Sequence, residues 1–282
     1  MTTDIFTTDD ASGFELDPRP ARVLVFGSHL AVGSVGLNAG LPVYDEARIR
    51  CAAIPTIVLS NLPHYRSVQA IDVSAEWITA SLRDLTAAGL LANIDVVAVG
   101  YLAAPEQAYA IAAWYRGLDE PARPPLILDP TFGDADVGFY TDPAVAPALR
   151  DSLVPLAAVL TPNPFELAHL TADGGEVRPV DASDPDAVAR RARDLPSADD
   201  ADVVVTGVHP ADGQIANVIV RADALEVVAG PEIPTSAKGL GDTFTAALVV
   251  ALLNGAPLAE AVDAAGARVR RAIAGGQGGT RG

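Results

Sequence analysis

Short runs of uninterrupted apolar residues, each ending at a glycine or a polar turn, recur along this chain and constrain its fold more than any other feature. RVLVF (22–26), DVVAV (95–99), LIL (126–128), AAVL (157–160) and DVVVT (202–206) have the length of strands rather than helices. A strand apolar at every position is buried on both faces, as happens in parallel sheets covered by helices on both sides. Helical periodicity fills the gaps at Glu76–Leu90, Pro105–Leu118, from about Asn163, Pro185–Leu195, Asp242–Leu253 and Leu258–Ala274. The alternation predicts an α/β fold with a central, mostly parallel sheet flanked by helices on both faces. Ala52–Leu59 reads as a further strand in which Pro55 marks an edge or a bulge, and Ile215–Val220 with Leu225–Val228 reads as a hairpin. With no internal repeat and no linker, one domain is expected over 19–275. It lies between a loose acidic tail at 1–18 and a flexible glycine-rich tail at 276–282.

Composition excludes some partners. The net charge of -17 argues against nucleic acid and anionic membranes, which need basic faces. A single cysteine, Cys51, leaves no internal disulfide and suggests a reducing compartment. The longest apolar runs are too short to span a bilayer, and no signal peptide is read at the start, so the expected location is the cytoplasm.

In open α/β sheets ligands bind beyond the carboxyl ends of the strands. The segments that follow these strands are polar and glycine-rich: GSHLAVGSVG (27–36), Gly100-Tyr101, DPTFGD (129–134), TPNPFE (161–166), Thr206-Gly207 and KGLGD (238–242). The last is the most informative. Its glycines let the backbone bend close to a ligand, and the helix that follows presents unpaired N–H groups and a positive dipole end, an arrangement suited to a phosphate. Asp242 adds a carboxylate there, although an aspartate in this place can also be a plain helix cap. Lys238, the only lysine of the chain, immediately precedes the turn and could pair with a phosphate or simply face solvent. Asn163 and Glu166 lie three apart at a helix start, where they can share a site or form a capping box.

These segments together resemble the pyridoxal kinases of the ribokinase-like superfamily, from about Val23 to Ala274. Ser28-His29 with Val35-Gly36, Ser60-Asn61 with Tyr65, Gly100-Tyr101, Asp129-Pro130 with Gly133-Asp134, Thr161-Pro162-Asn163 with Glu166, and Gly239-Leu240-Gly241-Asp242 fall in the order of the family's motifs. The chain departs from that pattern at Leu240, where the family has threonine. It departs also at Leu37, with the asparagine displaced to Asn38, and at Leu62-Pro63, with His64 arriving late.

The resemblance implies an ATP-dependent kinase that phosphorylates the 5′-hydroxymethyl of pyridoxal, pyridoxine or pyridoxamine, with Mg²⁺, a K⁺-type cation and a homodimer. Asp242 would be the base, its pKa depressed by the helix N-terminus, and the N–H groups of Gly239, Leu240 and Gly241 would hold the transferred phosphoryl. Thr206, Lys238, Asn163 and Thr243 would meet ATP. Ser28, His29, Ser60 and Tyr101 would meet the vitamer, and Glu166 and Asp129 the metal. Tyr140 would serve as a flap residue. A hydroxymethylpyrimidine kinase of thiamine metabolism and a nucleotide-binding pseudokinase remain the alternatives.

Overall fold

The computed structural model describes residues 16–172 and 176–278. The expectations for 1–15 and 279–282 therefore lie outside the described residues.

Eleven strands form: β1 (Val23–Leu30), β2 (Cys51–Leu59), β3 (Ala70–Asp72), β4 (Val96–Val99), β5 (Leu126–Leu128), β6 (Gly133–Asp134), β7 (Gly138–Phe139), β8 (Val159–Leu160), β9 (Asp202–Val208), β10 (Gln214–Val220) and β11 (Leu225–Pro231). Nine of them make one sheet in the order β11-β10-β9-β8-β5-β4-β1-β2-β3, while β6 and β7 form a separate small hairpin. Strands β2 to β9 across the middle of that order pair in parallel. The edge pairings, β2 with β3 and β10 with β9 and β11, are antiparallel.

The helices divide between the two faces. α1 (Leu37–Glu46), α7 (Leu240–Leu253) and α8 (Leu258–Gly278) contribute Val43, Tyr44, Phe244, Leu248, Ala261 and Val262 to one core layer. α2 (Ala75–Ala87), α3 (Pro105–Arg116), α4 (Val145–Ser152), α5 (Pro164–Leu170) and α6 (Pro185–Ala192) contribute Ile78, Leu82, Ile111, Leu149, Leu167 and Val188 to the other. The middle strands feed both layers. Val97 and Val99 of β4 face one, and Val96 and Ala98 the other, all buried, which is why they read as unbroken apolar runs. α7 is apolar nearly all round because it packs against α1, α8 and the sheet.

Four expectations are corrected. β1 does not stop at Gly27 but runs on to Leu30, because β2 continues to pair with it. α1 and α4 form where no helix was expected: Gly40 and Pro42 interrupt the pattern of α1, but burial of Leu37, Val43 and Tyr44 compensates. α7 begins at Leu240 rather than Asp242. α8 continues through Gly276 to Gly278, where a flexible tail was expected. Pro55 does mark a bulge: Gly27 pairs with Pro55 and Ser28 with Ile57, leaving Thr56 extra. Among the described residues no helix is long and apolar enough to cross a membrane.

Candidate active site

The chain leaves β1 toward β2 on one side and later returns to β4 on the other, so the switch in strand order falls between β1 and β4. A crevice opens there, lined by Gly27, Gly36, Gly100, Asp129, Asp242 and Thr245. Two helices point their N-termini at it. α1 starts after Gly36 and α7 after Gly239, and neither has a side-chain cap on its N-cap residue; at α1 the Asn38 and Ala39 N–H groups bond to the Val35 and Gly36 carbonyls.

Both starts depend on glycine. Gly36 has φ 56° and lies so close to Ser28 that a Cβ would sit 2.2 Å from its Oγ. Gly239 has φ 83°, and a Cβ there would meet the Ser34 carbonyl oxygen at 1.9 Å. The bend of the KGLGD segment therefore belongs to Gly239 alone, since Gly241 is already helical within α7.

Two carboxylates, Asp129 and Asp242, line the crevice, and a third, Glu166, interacts with Asp129 from behind it. Asp129 ends β5 and is buried; its Oδ2 accepts a hydrogen bond from the Thr245 hydroxyl at 3.0 Å. Burial, and next the Asp242 charge, push its pKa up to about 7 against the opposing hydroxyls of Thr131 and Thr245. Asp242 accepts hydrogen bonds from the Gly36 N–H and from its own N–H, yet burial outweighs both and raises its pKa. This corrects the expectation of a depressed value: the helix end is there, but desolvation is the larger effect. Glu166, also buried, accepts from Phe132 N at 3.3 Å and from Asn163 N at 2.8 Å. Its pKa is raised well above the usual range by burial and then by Asp129. No lysine or arginine enters among the groups acting on any of the three.

That uncompensated negative charge is a fit for a divalent cation. Among the described residues no cluster of three His, Cys, Asp or Glu makes a ready cage for a metal.

Other expected site residues are placed differently. Asn163 has local partners: its Oδ1 accepts from the Glu166 N–H at 2.9 Å, and its Nδ2 donates to the Gly133 carbonyl at 2.9 Å. With Glu166 it forms the capping box, and it anchors the β6–β7 hairpin. Thr243 likewise has a local partner. It is buried and its hydroxyl donates to Gly239 O at 2.8 Å, bracing the turn from within. Ser60 closes the β2–β3 connection, donating to Asn61 Oδ1 at 2.5 Å and accepting from Gln69 N at 2.9 Å. Lys238 and His29 are exposed, and Thr206 lies on β9 with its N–H on the Pro162 carbonyl at 2.9 Å. Ser28 is buried at the end of β1. Tyr101 packs partly buried with Val35, Leu62 and Val68 over Leu30, Ile57 and Leu59, making an apolar wall beside the crevice.

Tyr140 follows the β6–β7 hairpin. Its hydroxyl reaches the Gly133 carbonyl at 3.5 Å, and the charges of Glu166, Asp129, Asp242 and Asp134 add to burial in raising its pKa. The hairpin itself is held by Phe139, whose ring packs on Phe132, Phe165 and His169 at 5.5, 5.4 and 4.6 Å between centroids.

Sequence reasoning missed Thr245. The available signal was a second hydroxyl, three residues after Asp242, on an otherwise apolar helix face.

The profile of the phosphomethylpyrimidine kinase family matches residues 31–281. A pyridoxine/pyridoxal/pyridoxamine kinase of Bordetella bronchiseptica is 40% identical over 264 residues, covering 92% of this chain and 90% of its own. The crystal structure of pyridoxal kinase from Entamoeba histolytica superposes with a TM-score of 0.81 at 22% identity, covering 91% of this chain and 90% of that one. Pyridoxal kinase from Leishmania donovani, in complex with ADP and pyridoxamine, gives a TM-score of 0.78 at 23% identity, covering 89% and 88%.

Proposed function

The chain belongs to the pyridoxal kinase family and has its ribokinase-like fold, and from that premise we propose that it transfers the γ-phosphoryl group of ATP to the 5′-hydroxymethyl of a vitamin B6 vitamer at the β1–β4 crevice. One observation carries the choice of crevice: Asp242 stands at the uncapped start of α7, bonded to the Gly36 N–H at the start of α1 and coupled electrostatically to Asp129. The Bordetella relative, 40% identical over 92% of the chain, favours vitamin B6 over a hydroxymethylpyrimidine.

In this reading Asp242 accepts the proton of the hydroxymethyl group as the phosphoryl group moves. Its raised pKa makes it a better base than an exposed aspartate. The N–H groups of Leu240 and Gly241 face the transferred group and stabilise its charge without reorganising. Asp129 and Glu166 would hold Mg²⁺, and the ion would supply positive charge to offset that of the transferring phosphates. A monovalent cation such as K⁺ would find its charge matched by the same carboxylates. Thr206 and Lys238 lie along the nucleotide side. Ser28 and Tyr101 receive the pyridine ring, with His29 and Ser60 at its margin, and Tyr140 covers the reacting groups. The enzyme works as a homodimer in the cytoplasm.

The test is turnover of pyridoxal and MgATP, with the 5′-phosphate identified by mass, in the wild type and Asp242→Asn. The variant should lose about 10²–10⁴ in kcat, the range for a positioned acid or base, with the KM for ATP little changed. Turnover within about tenfold of wild type would remove Asp242 from the role of base.

A further inference from the structure

We propose that Thr245 is a positioning residue that orients Asp129 for the metal; the inference rests on the reading of Asp129 given above. Thr245 is buried on α7, in a stretch that is otherwise Phe, Ala, Leu and Val from Phe244 to Val249. A buried hydroxyl is costly unless it is hydrogen-bonded, and packing alone would be served by valine. This one has two partners far away in sequence. It donates to Asp129 Oδ2 at 3.0 Å, and it lies 3.2 Å from the Thr161 hydroxyl, itself buried just after β8.

Proton counting fixes the direction. A threonine hydroxyl carries one proton, and toward an ionised carboxylate it must donate. Thr161 then donates to Thr245, so the two hydroxyls form a directed chain ending on Asp129. The chain ties the ends of β5 and β8 to the first turns of α7, the helix that also carries Asp242. Asp242 and Thr245 are three apart and share a helix face, so one helix sets both carboxylates of the crevice: one directly, the other through a hydroxyl. Carboxylates that hold a metal are commonly oriented by such hydrogen bonds, and losing one typically costs 10–100-fold in metal affinity or activity.

The experiment measures Mn²⁺ binding to the protein–ADP complex, from the free-Mn²⁺ signal in electron paramagnetic resonance, for wild type, Thr245→Val, Thr245→Ser and Asp129→Asn. The KM for pyridoxal is measured alongside. Thr245→Val should weaken Mn²⁺ binding about tenfold or more, Thr245→Ser should stay within about twofold of wild type, and neither should move the KM for pyridoxal. Thr245→Ala should reproduce the loss if the valine variant does not fold. Wild-type Mn²⁺ affinity in Thr245→Val, with a clear loss in Asp129→Asn, would reduce Thr245 to a packing residue. Unchanged affinity in Asp129→Asn would remove Asp129 from the metal, and the proposal for Thr245 with it.

Discussion

Asp129 keeps a carboxylate at a strand end where burial and Asp242 oppose its ionisation and only hydroxyls favour it. Its folded-state pKa of about 7 lies above the ordinary aspartate value, so the folded chain holds a proton that the unfolded chain has released. The sign follows: stability falls as pH rises from about 4 to about 7, by at most about 1.4 kcal/mol per pH unit from this group, and levels off above. Asp129→Asn cannot ionise. In differential scanning calorimetry of the ligand-free protein, this variant should melt above wild type at pH 8, with the gap shrinking toward pH 5. A gap independent of pH would contradict the assignment. Asp129, Glu166 and Asp242 could be named from sequence because each sits at a strand end or helix start in a recognisable motif. Thr245 was marked only by its spacing of three from Asp242, since its partners are 84 and 116 residues away. Asn163 and Thr243, expected to meet ATP, each also satisfy backbone groups of their own turn, a local role that their positions at helix starts suggest.

Between elements, one buried glutamine on α3 braces the wall that Tyr101 belongs to. Gln107 is 1% exposed; its Oε1 accepts from Ala103 N at 2.8 Å, and its Nε2 donates to Thr56 O at 2.7 Å and Val73 O at 2.6 Å. Thr56 is the residue extruded by the bulge at Pro55, and its hydroxyl donates to Tyr101 O at 2.6 Å. The irregularity in β2 thus becomes a tie between β2, the β4–α3 loop and the lead into α2. Gln107→Leu would take this partner from one buried and two partly buried backbone groups and should cost about 2–4 kcal/mol. That is a fall of about 3–7 °C in Tm for a chain of this size. Because the tie ends on Tyr101, the KM for the vitamer should rise while the KM for ATP holds; equal rises in both would mean a general loosening. The proline announced the bulge in sequence, but not what the bulge was for. α1 was hidden because Gly40 and Pro42 lower intrinsic helix propensity, and only its packing against α7 recovers it.

At the scale of the molecule, alternation of apolar strands and helices was enough to predict a covered parallel sheet and to direct attention to its carboxyl edge. Which helices share a face was not legible. Grouping α1 with α7 and α8 requires the chain to close on itself after β11, a contact between Leu37–Glu46 and Leu240–Leu253 across most of its length. That closure brings two helix starts without side-chain caps and the carboxylates of Asp129 and Asp242 to one crevice, and phosphoryl transfer is the chemistry such a crevice supports. The apolar wall around Tyr101 includes Leu62, and Leu37 lines the crevice itself. The most direct measurement is a competition in one vessel: equal concentrations of pyridoxal and hydroxymethylpyrimidine with limiting MgATP, and both phosphate esters quantified by mass. The account predicts that pyridoxal 5′-phosphate forms in at least about tenfold excess, the discrimination expected of a few placed contacts; pyrimidine phosphate without pyridoxal 5′-phosphate would contradict it.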